Sequence, residues 1–220
     1  MLEDRCQDKV AQVSKTESLV FTIIQAAGWP IWPLLFLSIV SLAFILERAV
    51  ALRRVKVVPP ALLPKLLAEY KSHGASAEMI ARLEQDSPLG RVLAAGLRNV
   101  KSSREVMKES IEESGRVVAH QLERFIPSIG TIATVAPLLG LFGTVIGMIE
   151  IFGAQAPSGT NPAQLAHGIS VALYNTAFGL VIAIPAMICY RYFRGKVDGF
   201  VIEMEAQAVK LVEMVHGQRV

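Results

Sequence analysis

The chain has 220 residues, of which 52% are hydrophobic, and a formal net charge of +3 at pH 7. Three stretches, 18–46, 125–149 and 151–190, contain no Asp, Glu, Lys or Arg. Each is long enough to cross the core of a bilayer, which takes about 20 apolar residues. This composition excludes a soluble globular protein. It predicts an all-α integral membrane protein with three transmembrane helices and long helical cytoplasmic extensions.

The N-terminal part is predicted to consist of a short segment, 1–19, and a first transmembrane helix at 20–47. The short segment carries four acidic and three basic residues. A secretory signal peptide instead begins with a basic region, and its apolar core has only about 7–15 residues. We therefore expect the first span to remain as a membrane anchor. Trp29 and Trp32 lie where an outer aromatic belt is expected.

Residues 48–124 are predicted to form a cytoplasmic helical region. They hold 14 basic and 9 acidic side chains, and basic residues mark cytoplasmic loops. Three short helical patterns fill its first half. A capping box formed by Ser102 and Glu105 then predicts the start of a longer helix. No helix breaker is apparent after it, so this helix is expected to run from about 103 to 152.

The second and third spans are predicted at 125–152 and 167–190, joined by a connection, 153–166, that holds no Lys or Arg. The positive-inside rule places this connection and the N-terminus outside, and the C-terminal helix, 191–220, in the cytoplasm. Two apolar stripes lead into the second span and out of the third, and they are expected to pack on each other and on neighbouring chains; the alternative is a basic amphipathic surface helix. The stripes are Met107, Ile111, Val118, Leu122 and Phe125, and Val197, Val201, Met204, Ala208, Leu211 and Val215.

Small residues recur at intervals of three or four along the second and third spans. In lipid, such stripes mark helix faces that another helix approaches closely. We predict that part of these stripes faces a central pore; the alternative is that the two stripes pack against each other. The predicted pore-facing small residues are Gly140, Gly143, Gly147, Ala172, Gly179 and Ala183.

Hydroxyl side chains accompany the small stripes. Thr144 and Thr176 lie roughly 9 and 13 Å from the outer ends of their spans, at 1.5 Å per helical residue. Their similar depth predicts that they line a narrow proton pathway, with Asn175 and Tyr174 beside them. A second polar level, nearer the inner end, is predicted from two further residues, Thr131 and Thr134. The alternative is that each threonine bonds a carbonyl of its own helix.

No Asp, Glu, Lys or Arg lies at mid-depth in the second or third span, and Glu150 stands at the outer end of the second. Ion and proton pathways usually hold an ionisable residue within the membrane. If this chain belongs to such a pathway, the titrating group must come from another protein.

The sequences "PLLGLFGTVIGMIEIF" and "GISVALYNTAFGLVIAIPAMICYRYF" resemble the two glycine-threonine signatures of the MotA/TolQ/ExbB proton-channel family, and its ExbB branch most closely. "LERAVALRR" and "LERFIPSIGTIATVAPLLGLFGT" also match. The resemblance covers roughly residues 20–200, in order and spacing.

The resemblance implies a multi-pass protein of the bacterial inner membrane with its N-terminus in the periplasm. It implies a homopentamer around an ExbD-like single-span protein that supplies a membrane aspartate, and motion passed to a TonB-like protein that opens outer-membrane transporters. The family's pore threonines correspond to Thr144 and Thr176. Many relatives have a Glu five residues before the second of these threonines. This chain has Val171 there, so a role for that Glu is not carried over.

Two other functions fit the sequence less well. One is a TolQ-like subunit that serves envelope integrity and division, and the other is a passive membrane scaffold. A MotA-type protein usually has four spans and a larger cytoplasmic domain. An intramembrane protease would need a Ser-His or two-aspartate constellation within the spans, so no enzyme is predicted. We also predict no cofactor, no metal site and no binding of nucleic acid; the lipid bilayer is the expected environment.

Overall fold

The computed structural model describes residues 28–153 and 162–217 of the chain. Three segments of these residues are long and apolar enough to cross a membrane: Ile31–Ala51, the apolar part of Arg104–Gly153, and the apolar part of Gly168–Val215. This confirms an all-α membrane protein with three transmembrane helices. The helices are α1 (Ile31–Ala51), α2 (Arg54–Val57), α3 (Leu62–His73), α4 (Ala77–Asp86), α5 (Pro88–Arg98), α6 (Arg104–Glu123), α7 (Ile126–Gly153) and α8 (Pro162–Val215).

The chain divides into two compact units. The membrane unit contains the chain up to Ala43 together with Ile129–Ile188, and the extramembrane unit contains Phe44–Ser128 and the chain from Cys189 onward. Helices α1, α7 and α8 therefore each contribute to both units.

The described part of the first span opens with a turn. Gly28 has a positive φ of 71°, a turn covers Trp29 and Pro30, and α1 starts only at Ile31. Pro33 falls in the first turn of α1, where no backbone N–H is needed for an intrahelical bond. The expected residues 20–27 of this span lie outside the described part of the chain. Trp29 is 56% exposed, and its ring lies edge-on to Phe142 of α7, with ring centroids 6.3 Å apart.

The expected continuous helix from 103 to 152 is wrong, because it is interrupted between α6 and α7. Phe125 has a φ of 63°, which is an uncommon backbone conformation for a bulky residue. Pro127 explains why the helix cannot simply continue, since its ring lacks an N–H and would clash with the carbonyl of Glu123, four residues earlier. The Phe125 ring stacks on Phe44 at a centroid distance of 4.9 Å and an interplanar angle of 9°.

A buried arginine at the end of α1 supports this interruption. The Arg48 side chain is 7% exposed. It donates to a carboxylate oxygen of Glu47 at 2.6 Å and to the carbonyl oxygen of Leu122 at 3.2 Å. Its guanidinium also lies 5.5 Å from the centroid of the Phe125 ring. Because a helix leaves its last carbonyls without intrahelical partners, Arg48 satisfies one that the end of α6 exposes.

Two short helices of the extramembrane unit, α4 and α5, begin at serine caps. Ser76 accepts from the Met79 N–H at 3.2 Å, and Ser87 accepts from the Gly90 N–H at 3.1 Å. The cap of α6 is Ser103, which accepts from the Val106 N–H at 3.4 Å. The predicted cap at Ser102 is therefore one residue too early.

Both predicted apolar stripes of the extramembrane unit are largely buried. In α6 the buried members are Met107, Ile111, Val118 and Leu122, and in α8 they are Val197, Met204, Ala208 and Leu211. Phe125, Val201 and Val215 are half-buried. The helical spacing thus identified the packed faces, although the turn at Phe125 interrupts the first stripe.

Candidate functional site

In the membrane unit, α7 and α8 run antiparallel and approach each other closely. A Cβ atom added to Gly140 would lie 2.8 Å from the backbone oxygen of Asn175, and one added to Gly179 would lie 2.7 Å from the backbone oxygen of Ala136. Contacts this short require glycine, because the opposing atoms belong to the backbone and cannot rotate away. Further along, a Cβ on Gly147 would lie 3.2 Å from Cβ of Ala172.

The predicted pore-facing small residues are all buried. They are Gly140, Gly143, Gly147, Ala172, Gly179 and Ala183. Five of them lie in this contact, and Ala183 packs with Ala136 of α7 and Leu34 of α1. Small residues produce this packing because they let two helix backbones approach and gain packing contacts in lipid. Packing of the two stripes on each other is the alternative that the sequence left open, and a pore between copies of the chain stays a prediction.

Asn175 lies inside the contact as well. Its side chain belongs to a residue with 0% exposure, and a Cβ on Gly143 would lie 2.6 Å from the Asn175 Cβ and 3.1 Å from its Nδ2. The absence of a side chain at Gly143 therefore makes room for the amide. Asn175 is a packing residue of the helix pair in this structure, and its part in a proton pathway stays a prediction.

Thr176 makes a hydrogen bond between the two helices. Its Oγ1 donates to the carbonyl oxygen of Gly140 at 3.3 Å, and the residue is half-buried. Thr144 is also half-buried, but its Oγ1 donates to the carbonyl oxygen of Leu141 in its own helix at 2.6 Å. Since Thr176 lies level with Gly140, the two hydroxyls differ in depth by about one turn, or roughly 6 Å.

The two threonines lie on the same flank of the helix pair. Thr144 directly follows Gly143, and Thr176 directly follows Asn175, the residue that Gly143 contacts. Each residue adds about 100° of rotation in a helix of 3.6 residues per turn. Each threonine is therefore rotated by about 100° about its own helix axis, in the same direction, from the residue that faces the other helix. Because the helices are antiparallel, equal rotations bring both side chains to one side of the pair.

The remaining predicted residues do not join this flank. Tyr174 is 37% exposed, and it is two residues, or about 200° of rotation, away from Thr176. Thr131 and Thr134 are exposed, and each precedes a contact glycine by nine residues, which places it half a turn away from the contact with α8. The Thr134 hydroxyl donates to the carbonyls of Gly130 and Thr131.

The hydroxyl flank can accept hydrogen bonds without opening the helix pair. A hydroxyl has one O–H donor and two acceptor lone pairs. In Thr144 and Thr176 the donor is used by a backbone carbonyl, so the oxygen remains available to a protonated group or a water molecule that approaches from outside. Helix α7 holds one acidic residue, Glu150, which is exposed near its C-terminal end.

The fold and this site define a class: a multi-pass helical membrane protein with uncharged, close-packed spans and hydroxyls on one flank. The chain belongs to the MotA/TolQ/ExbB proton channel family, whose model matches residues 84–206. Its relatives support an ExbB-type role in a proton channel and a location in the inner membrane.

Three relatives illustrate the similarity. Biopolymer transport protein exbB1 of Vibrio cholerae is 31% identical over 176 residues, which is 74% of each chain. An ExbB-like biopolymer transport protein of Synechocystis sp. is 32% identical over 174 residues, 77% of this chain and 82% of the relative. Biopolymer transport protein ExbB of Aquifex aeolicus is 32% identical over 115 residues, 52% of this chain and 77% of the relative.

Proposed function

We propose that this chain is the proton-channel subunit of an ExbB–ExbD-type motor of the inner membrane, which uses the proton motive force to energise TonB-dependent outer-membrane transport. The observation that carries the proposal is the shared flank of Thr144 and Thr176 on a helix pair that has no charge of its own at that depth. Membership in the proton channel family supports it.

In this proposal the chain forms a homopentamer around the membrane helices of an ExbD-like partner. Its N-terminus is periplasmic and its C-terminus cytoplasmic. The small residues let α7 and α8 pack without a gap within each copy. The proton path therefore lies outside this helix pair, along the flank that carries the two threonines. The partner supplies an aspartate, and a TonB-like protein receives the motion.

The energetics suit a cycle of protonation. An ionised aspartate at the centre of a membrane costs at least about 2.5–3.5 kcal/mol on insertion scales, and a proton that crosses the membrane releases about 2.3 kcal/mol per 100 mV. The two values are of similar size. Protonation of the partner's aspartate can therefore remove the penalty and free its helix to move. The threonine oxygens accept a hydrogen bond from the protonated acid as it passes, whereas the ionised form needs a water molecule that donates to both the carboxylate and a threonine oxygen.

A growth experiment tests this function. The chain and its partner are expressed in a strain without its own motor, on an iron source that requires TonB. We expect Thr176→Val to abolish growth while the complex still assembles, because the change keeps the volume and removes the hydroxyl. The matched control is Thr134→Val, which removes a hydroxyl that lies half a turn from the contact and should leave growth unchanged. Normal growth of both Thr176→Val and Thr144→Val would show that the flank is not functional.

A further inference from the structure

The extramembrane unit contains a cavity of about 580 Å³ that α2, α3 and α4 border. Its volume falls within the range of about 300–1,000 Å³ that is typical of small-molecule pockets. Apolar side chains form most of the wall, namely Val55, Pro59, Leu62, Leu66 and Leu83. Leu66 and Leu83 of the lining are buried, whereas Val55 is 75% exposed.

The cavity is close to the membrane by chain length alone. Val55 is four residues beyond Ala51, the last residue of α1. Four residues span at most about 14 Å even when fully extended. An exposed valine at this distance from the end of a span is therefore within reach of the lipid head groups and of the upper part of the acyl chains.

The segment that carries the cavity is strongly basic. From Leu52 to Ala68 the chain has four basic residues and no acidic one. Arg54 forms an ion pair with Glu203, and Arg53 and Lys56 are exposed. Lys65 lines the cavity and is exposed. Clusters of Lys and Arg next to a span are attracted to anionic lipids. The charge of this segment is thus complementary to an anionic head group.

Other charged residues of the cavity set its polarity. Arg82 and Glu69 also line it and form an ion pair with each other at 2.5 Å, so they largely neutralise one another. Asp86 lines the wall that α4 contributes. The basic segment and Lys65 belong to α2, α3 and the chain just before them. An anionic head group is therefore expected near Lys65 and away from Asp86.

We propose that this cavity binds an anionic phospholipid. An acyl chain occupies the space over Leu66 and Leu83, and the phosphate lies against Lys65, with the exposed Arg53 and Lys56 adding to the positive charge of the segment. This proposal is separate from the proton path, because it uses no residue of α7 and none of the threonines. A lipid held here anchors α2 and α3 to the membrane surface.

Native mass measurement of the complex tests the site. The complex is reconstituted in nanodiscs that contain equal amounts of phosphatidylglycerol and phosphatidylcholine, and the retained lipids are counted after release. We expect at least a threefold preference for phosphatidylglycerol. Ala61→Trp, which adds bulk at an exposed position that lines the cavity, should reduce the retained lipid at least threefold. Ala68→Trp, also exposed on α3 but outside the cavity lining, is the matched control.

The head group is tested with a second pair of variants. Lys65→Gln should remove the preference for phosphatidylglycerol, whereas Lys71→Gln, on the same helix and outside the cavity lining, should leave it unchanged. Equal retention of both lipids, with no effect of Ala61→Trp, would overturn the proposal. Displacement of the lipid by millimolar inorganic phosphate would assign the site to a soluble phosphate compound instead. Loss of TonB-dependent growth in Thr176→Val bears on the proton path alone.

Discussion

Replacing Gly140 by alanine is expected to force α7 and α8 apart. The new Cβ would lie 2.8 Å from the backbone oxygen of Asn175 and 3.0 Å from Cα of Thr176. Both atoms belong to the backbone of α8, so no side-chain rotation relieves the clash. Restoring ordinary contact at 3.4 Å requires an opening of about 0.6 Å. Overpacking of this kind costs about 1–3 kcal/mol.

The same opening should break the hydrogen bond from Thr176. Its Oγ1 donates to the Gly140 carbonyl at 3.3 Å, and a further 0.6 Å or so takes the pair beyond the range in which a hydrogen bond forms. Gly140→Ala should therefore lower both the melting temperature, by a few degrees, and the proton flux. The variant combines a packing defect with a displaced hydroxyl.

A thermal-shift assay in mild detergent measures the first effect and vesicle flux the second. Gly153→Ala is the matched control, because a Cβ at that position of α7 meets nothing within 4 Å. An unchanged melting temperature and flux in Gly140→Ala would refute the close approach of the two helices, and with it the shared flank of the threonines.

Three further predictions concern charge and assembly. Arg48→Met should lower the free energy of unfolding by about 1–3 kcal/mol, because a buried donor to the Leu122 carbonyl is lost. The control Arg54→Met removes an exposed ion pair with Glu203 and should change the free energy of unfolding by less than about 1 kcal/mol. Equal effects of the two variants in chemical denaturation would contradict the role of Arg48. Glu150→Gln should leave proton flux in vesicles largely intact, since this carboxylate is exposed; loss of flux with normal assembly would assign the chain its own proton site. Native mass measurement of the chain alone should give a homo-oligomer. A monomer as the sole species would contradict the proposed homopentamer.

The spans could be predicted because their apolar runs are long and uncharged, but the turn that precedes α1 could not. At Gly28 the backbone turns with a positive φ, and Pro30 precedes the first helical residue. These are local signals that a hydropathy pattern ignores. The turn at Phe125 is harder to predict, since a phenylalanine with positive φ has no sequence signature. Pro127 signals a break in the helix but not the positive φ of Phe125. Contacts with Phe44 and Arg48 stabilise that conformation of Phe125.

The candidate site shows a different limit. A stripe with spacing of three or four can pass through either Asn175 or Thr176 after Ala172, and both choices fit a helix. The sequence favoured the threonine because small residues are commoner at such contacts. The structure buries Asn175 instead, because Gly143 opposite it has no side chain. Small stripes alone also do not distinguish a contact within the chain from one across a pore.

The central claim is that a partner's aspartate is the obligatory proton carrier and that the Thr144–Thr176 flank serves it. The most direct measurement is proton flux into vesicles that contain the chain and its ExbD-like partner under an imposed potential. We predict that asparagine at the partner's aspartate stops the flux, and that a Thr144→Val, Thr176→Val double variant reduces it at least tenfold while the complex still assembles. Normal flux in the double variant, or flux that persists without the partner's aspartate, would contradict the account.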